Sequence, residues 1–223
     1  VTFLEICKRV RSECGISGTG PASVNNQIGE NKRIVDWVAS AYEDLQMKHT
    51  DWYWMRSSYE FTTTADVAGY SPSDAGITDF AQWDNETIRL YSASETEANA
   101  RFLHFMPYLT YVKSNMTMAD QANRPSYFTI MPDMKLQLAP KPDAVYTVKG
   151  DYFKSPVTLT ATLDTPDLPA RFHMAIVYRA MMMYARYEAA GEIYADAEAN
   201  YRRFVNLIEL NQLPTMEMAQ PLA

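Results

Sequence analysis

The sequence predicts an α+β protein: a bundle of four amphipathic helices, two N-terminal and two C-terminal, with an inserted antiparallel β domain. Three observations predict it. Apolar residues recur at three- and four-residue spacing at both ends of the chain. The middle carries β-branched and aromatic runs that alternate with polar residues. Clusters of Pro, Asp and Gly separate these regimes. On this reading residues 1–56 and 166–211 form the helical bundle, 57–165 the β-rich insert, and 212–223 an extended C-terminal tail. The 223 residues, 47% hydrophobic and 21% charged, suffice for one large domain or two small ones.

The elements follow in order. Phe3, Ile6, Val10 and Cys14 make one helical stripe, stopped by the glycines of residues 15–21, which read as a flexible loop. Ile34, Val38, Ala41, Tyr42 and Leu45 make a second stripe. The cluster Trp52-Tyr53-Trp54-Met55-Arg56 then reads as core at the helix–insert junction rather than a stacking platform for bases or sugars. Strands are expected at 59–64, 87–91, 126–130, 135–138 and 145–153, with residues 102–114 open to either helix or strand. Asp167 is a candidate cap for a third helix, with Pro169 in its first turn and Phe172, Ile176, Ala180, Met183, Tyr184 and Tyr187 as its apolar stripe. Gly191 marks a break before a fourth helix with Tyr194, Ala197, Tyr201, Phe204, Val205 and Ile208 facing inward.

Composition narrows function. A net charge of −7 without any Lys/Arg run disfavours tight nucleic-acid binding. The basic pairs Lys8-Arg9, Lys32-Arg33 and Arg202-Arg203 read as solvated or salt-bridged faces. Residues 1–14 read as a charged amphipathic helix, unlike a signal peptide, and no apolar run is long enough to span a membrane. Cys7 and Cys14, about 10 Å apart along one helix, are too far for a mutual disulfide and read as small buried residues of a reduced, cytoplasmic product.

Catalytic chemistry finds no starting point. His49, His104 and His173 lie in separate segments without metal-ligand spacing, and no cofactor or metal is expected. Glu43-Asp44, Asp164/Asp167 and Asp196/Glu198 read as solvated or capping acids. Arg171, Arg179 and Arg186 fall within about 80° of each other by the helical period. They form either a solvated face paired with Glu188, Glu192 or Asp196, or a stripe that binds a neighbouring subunit.

The run Arg124-Pro125-Ser126-Tyr127-Phe128, then Leu136-Gln137-Leu138-Ala139-Pro140-Lys141-Pro142 and Tyr146-Thr147-Val148, resembles the β insert of phage head–tail adaptor proteins. Leu168-Pro169-Ala170-Arg171-Phe172-His173 and the opening Phe3-Leu4-Glu5-Ile6-Cys7-Lys8-Arg9 are similar to the same family, as is the design of tail-tubular gatekeepers of short-tailed phages. The resemblance implies a non-enzymatic virion protein at the neck, assembled from the host cytoplasm into a ring, commonly of twelve subunits. Its partners would be the portal protein, a tail, nozzle or tail-tube protein, and further copies of itself. Genomic DNA would pass through the lumen without tight binding, and no membrane would be involved. Family adaptors grip the portal with an extended C-terminus. Here Leu213, Met216, Met218 and Leu222 are the candidate anchor, against the alternative of simple terminal disorder. Competing readings are a stopper or tail terminator, a soluble enzyme, or a glycan-binding module with its site in the insert.

Overall fold

Thr2 starts the first helix. Its hydroxyl accepts from the Glu5 N–H at 3.3 Å while the Glu5 carboxylate accepts from the Thr2 N–H at 2.8 Å, a reciprocal capping box. In the computed structural model, which describes residues 1–118 and 121–214, helices α1 (Phe3–Glu13) and α2 (Gly29–Met47) come first. Strands β1 (Arg56–Thr62), β2 (Gly69–Tyr70), β3 (Phe80–Trp83), β4 (Arg89–Ser92), β5 (Arg101–Phe102) and β6 (His104–Phe105) follow. Then come α3 (Tyr108–Met118), β7 (Tyr127–Ile130), β8 (Leu136–Ala139), β9 (Tyr146–Lys154), α4 (Met174–Tyr187) and α5 (Gly191–Gln212). The protein is thus mixed α+β. It divides into two compact units, residues 1–55 with 156 onward, and residues 56–155.

In the first unit α1, α2 and α5 each pack on α4. Phe3, Ile6, Cys7 and Val10 of α1 join Ile34, Val38, Ala41, Tyr42 and Leu45 of α2 in one core with Ile176, Ala180, Ala197, Val205 and Ile208. Because three helices surround it, α4 buries more than a stripe: Ala175, Val177, Met181, Met182 and Ala185 are covered too, whereas Tyr187 is exposed. Trp52, Trp54 and Met55 also belong to this core, with the Trp52 indole N–H donating to the Leu45 carbonyl at 3.1 Å.

The chain returns to this unit at Pro156, earlier than the expected boundary at 165. Leu159 and Leu168 are buried in the helical core, and the Gln46 amide brackets Val157, donating to its carbonyl and accepting from its N–H, both at 2.9 Å. Asp167 caps no helix. A 3-10 turn, Ala170–Phe172, intervenes, and His173 occupies the α4 N-cap position. The break before α5 likewise falls ahead of Gly191: Ala189 takes the left-handed conformation at φ 54°, and the Ala190 N–H returns to the Ala185 carbonyl at 2.9 Å. At the end of α1 a glycine fills that role. Gly15 sits at φ 67°, with Ile16 N–H to Arg11 carbonyl at 3.1 Å and Gly15 N–H to Ser12 carbonyl at 3.2 Å. The loop beyond, expected to be flexible, is organised by Arg11. Its guanidinium donates to the Ser17 carbonyl and, at 2.8 Å, to Asn31 Oδ1.

In the second unit β9 is the central strand. It pairs antiparallel with β1 along all seven β1 residues, and with β3 and β4 on its other side. Gly150 lets the Tyr59 ring lie against β9, because a Cβ there would meet the Tyr59 hydroxyl at 2.9 Å. The second sheet has the order β2-β8-β7-β6. It departs from the all-antiparallel expectation, because β6 runs parallel to β7. Residues 102–114 resolve the open choice as both forms, ending β5, containing β6 and entering α3. The run 101–105 joins the sheets. The Leu103 N–H goes to the Ile88 carbonyl at 2.9 Å, and the His104 N–H to the Ser126 carbonyl at 3.0 Å. The sheets enclose one core with Tyr59, Phe61, Trp83, Leu90, Phe128, Leu138 and Val148.

Candidate functional site

The three histidines lie on separate segments, and of the histidines and cysteines some are paired and some buried. His49 Nε2 lies 3.0 Å from Glu209 Oε1, which also accepts from Lys48 at 2.7 Å, and these two partners hold the Glu209 carboxyl below its usual range. The buried His173 ring is 2.8 Å from the Leu168 carbonyl, and burial pushes its pKa down. His104 is exposed on β6 beside Tyr127, ring centroids 5.8 Å apart. Burial raises both free thiols, Cys7 and Cys14, to about 12, far from the reactive thiolate range. Among the described residues no group of three or more His, Cys, Asp or Glu side chains is placed to hold a metal, and no helix is long and apolar enough to cross a membrane.

The three arginines lie on two elements, Arg171 on the 3-10 turn and Arg179 and Arg186 on α4. Arg179 donates twice to Asp44 Oδ2, at 3.0 and 2.7 Å, and so ties α4 to α2 within the subunit. Both side chains stay about a third exposed, and the partner is Asp44 of α2 rather than Glu188, Glu192 or Asp196. Arg171 lies on the 3-10 turn before α4, stacks on Phe172 at 4.6 Å and donates to Asn211. Arg186 is exposed in the last turn of α4 and makes no ion pair among the described residues. Of the candidate anchor residues, Leu213 packs on the helical core rather than standing free, while Met216, Met218 and Leu222 lie outside the described residues.

The most distinctive surface is on the β unit, where the sequence reading did not look. Phe102, Phe105, Tyr108, Leu109, Val112 and Tyr127 are all exposed, Leu109 at 71% and Phe102 at 61%. They sit on neighbouring elements: β5, β6, α3 and β7. Of the α3 side chains described, Tyr111 alone is buried. A cavity of about 660 Å³ lies beside it, lined by Tyr111 and Ser114 from α3, Tyr127 from β7 and Gln137 from β8. A concentration of apolar residues on a surface marks a contact with another macromolecule. The apolar residues of Phe102-Leu103-His104-Phe105 do not show in sequence which of them are covered, and only Leu103 is buried.

A comparison with curated proteins gives no match. The family comparison does: the model described as SU10 adaptor protein matches residues 1–221, nearly the whole chain. The protein therefore belongs to the SU10 adaptor protein family, structural adaptors of bacteriophages.

Proposed function

We propose that the chain is a neck subunit of a tailed-phage virion, forming a ring, commonly of twelve copies, below the portal. The ring joins the DNA-filled head to the tail and lines the DNA channel. The observation that carries this reading is the extent of the family match, residues 1–221, which spans both structural units rather than one borrowed module. In this reading the helical unit is a bundle that carries the β unit as an insert. A net charge of −7 favours a lumen past which DNA slides, because like charge opposes phosphate binding. The exposed apolar residues of β5, β6, α3 and β7 supply the contact with a tail, nozzle or tail-tube component. Arg186 remains available for an ion pair with a neighbouring copy.

The portal contact is assigned to residues 215–223, through Met216, Met218 and Leu222. Leu213 is excluded, since it already packs on its own core. The experiment is to image virions carrying a labelled copy, and to examine particles made without the chain. Label at the neck and filled heads lacking tails are expected. Label elsewhere, or normal tail joining in its absence, overturns the reading. Removal of residues 215–223 should leave the fold intact and prevent attachment to portal-bearing heads.

A further inference from the structure

Among the described residues, the first sheet ends on an edge that no other strand covers. β1 pairs with β9 over Arg56–Thr62 without a bulge, and β9 is its only strand partner among them. Main-chain direction can be followed residue by residue. The Thr63 N–H donates to the Tyr146 carbonyl at 2.8 Å, so Tyr146 faces β1. Asp151 faces the other way: its carbonyl accepts from Asp84 N–H at 3.0 Å and its N–H donates to Thr87 Oγ1 at 2.8 Å. Strand alternation then turns Val148 and Gly150 toward β1, where their partners are Phe61 and Tyr59. The N–H and C=O groups of Ser58, Glu60 and Thr62 therefore point outward from the sheet. None of the three has a backbone partner among the described residues, and all three residues are exposed.

Proteins usually guard such an edge with Pro, Lys, a bulge or a very short strand. Here the edge is seven residues long and contains no Pro or Lys. We propose that the outer edge of β1 is a strand-addition site, which takes an extended, proline-free segment of a partner protein that places a Lys or Arg beside Glu60. The charge argument comes from Lys149. Its Nζ lies 2.8 Å from Glu97 but 3.6 Å from Glu60, whose side chain is 52% exposed and still able to accept a cation. On the opposite face Tyr59 and Phe61 are buried, so alternate residues of the incoming strand are apolar and extend that core. A second copy fits less well. The cation its own β1 would bring beside Glu60 is Arg56, which is already held by Asp84 and Asp151, while β2, β5 and β6 are each only two residues long.

The test uses the full chain, isotopically labelled, and does not depend on any location in a virion. The probe is an acetylated Val-Thr-Val-Lys-Val-Thr-Val peptide. It should shift the amide signals of Ser58, Glu60 and Thr62 and slow their exchange about tenfold or more, while Tyr59 and Phe61, already bonded to β9, change little. Replacing the peptide lysine by glutamate should weaken the effect several-fold. Ser58→Pro removes one outward N–H that β9 does not use, a position where an edge strand tolerates proline. This variant should melt like the parent and lose the peptide response; Thr62→Pro serves the same purpose should Ser58→Pro fail to fold. No response at these amides, or a response that survives the folded proline variant, overturns the proposal. Concentration-dependent protection of the same amides without peptide also overturns it, by making a second copy the occupant.

Discussion

Helices α1 and α3 have the same length, eleven residues each, and opposite uses. α1 is closed at its start by the Thr2–Glu5 box, at its end by Gly15, and along its length by four buried side chains. α3 buries Tyr111 and offers Tyr108, Leu109 and Val112 to solvent. Apolar content does not separate them, since both are rich in apolar residues. What separates them is whether the rest of the subunit comes to meet the apolar face. In α1 that face is satisfied within the chain, so its residues report on stability. In α3 the described apolar side chains other than Tyr111 stay exposed, so under the proposed function they report on association.

The sharpest way to break this comparison is a pair of truncations. Ile6→Ala should cost about 2–5 kcal/mol of stability, because Ile6 is buried in the helical core. Leu109→Ala should change stability by no more than about 0.5 kcal/mol and weaken attachment to the partner. Thermal melts and a pull-down on purified neck components check both. Equal losses of stability would show that α3 is a core element. Next in size, Thr2→Ala should cost about 1 kcal/mol by removing the α1 cap. Smaller again, Ala189→Gly should raise the melting point, with a gain of about 0.5–1 kcal/mol, because it relieves the left-handed conformation that Gly15 adopts freely at the end of α1.

Acid should give the smallest separation between the units that hold these helices. Burial depresses the His173 pKa, so its neutral form stabilises the helical unit above about pH 6.5, and that contribution falls as the unfolded chain binds a proton first. In the β unit Arg124 donates to both Glu95 oxygens, at 2.9 and 2.8 Å, and Ser92 N–H adds a third bond, together lowering the Glu95 pKa to about 2. That contribution is present above the ordinary carboxylate range and fades only as pH falls toward 2, and solvent screening keeps it small. Between about pH 6.5 and 5, exchange protection factors should therefore fall in α4 before they fall in β4 and β9. The reverse order would contradict the assignment.

What the sequence made legible follows the range of the interactions involved. The stripes Phe3, Ile6, Val10, Cys14 and Ile34, Val38, Ala41, Tyr42, Leu45 are buried throughout, because a helical face is written within a few turns. Five strands were anticipated near their positions; the other four, β2, β3, β5 and β6, are two to four residues long and are defined by distant partners. The α3 helix was one of two open readings of residues 102–114. For the candidate site, the arginine spacing was visible while the Arg179–Asp44 pair was not, since its members are 135 residues apart. The exposed apolar surface was hidden for a related reason: sequence shows that Phe102 and Leu109 are apolar, not that nothing covers them.

The pairing of β1 with β9 has a genetic consequence. The first and last strands of the β unit lie side by side, with Arg56 opposite Phe153, so the chain enters and leaves that unit at neighbouring points. A segment with adjoining ends can be exchanged as a cassette, because the two cut points can be rejoined by another insert, or by a short linker, without stretching the host. A lineage can in this way exchange its whole β unit between two cut points, while the helical sequence on either side stays unchanged.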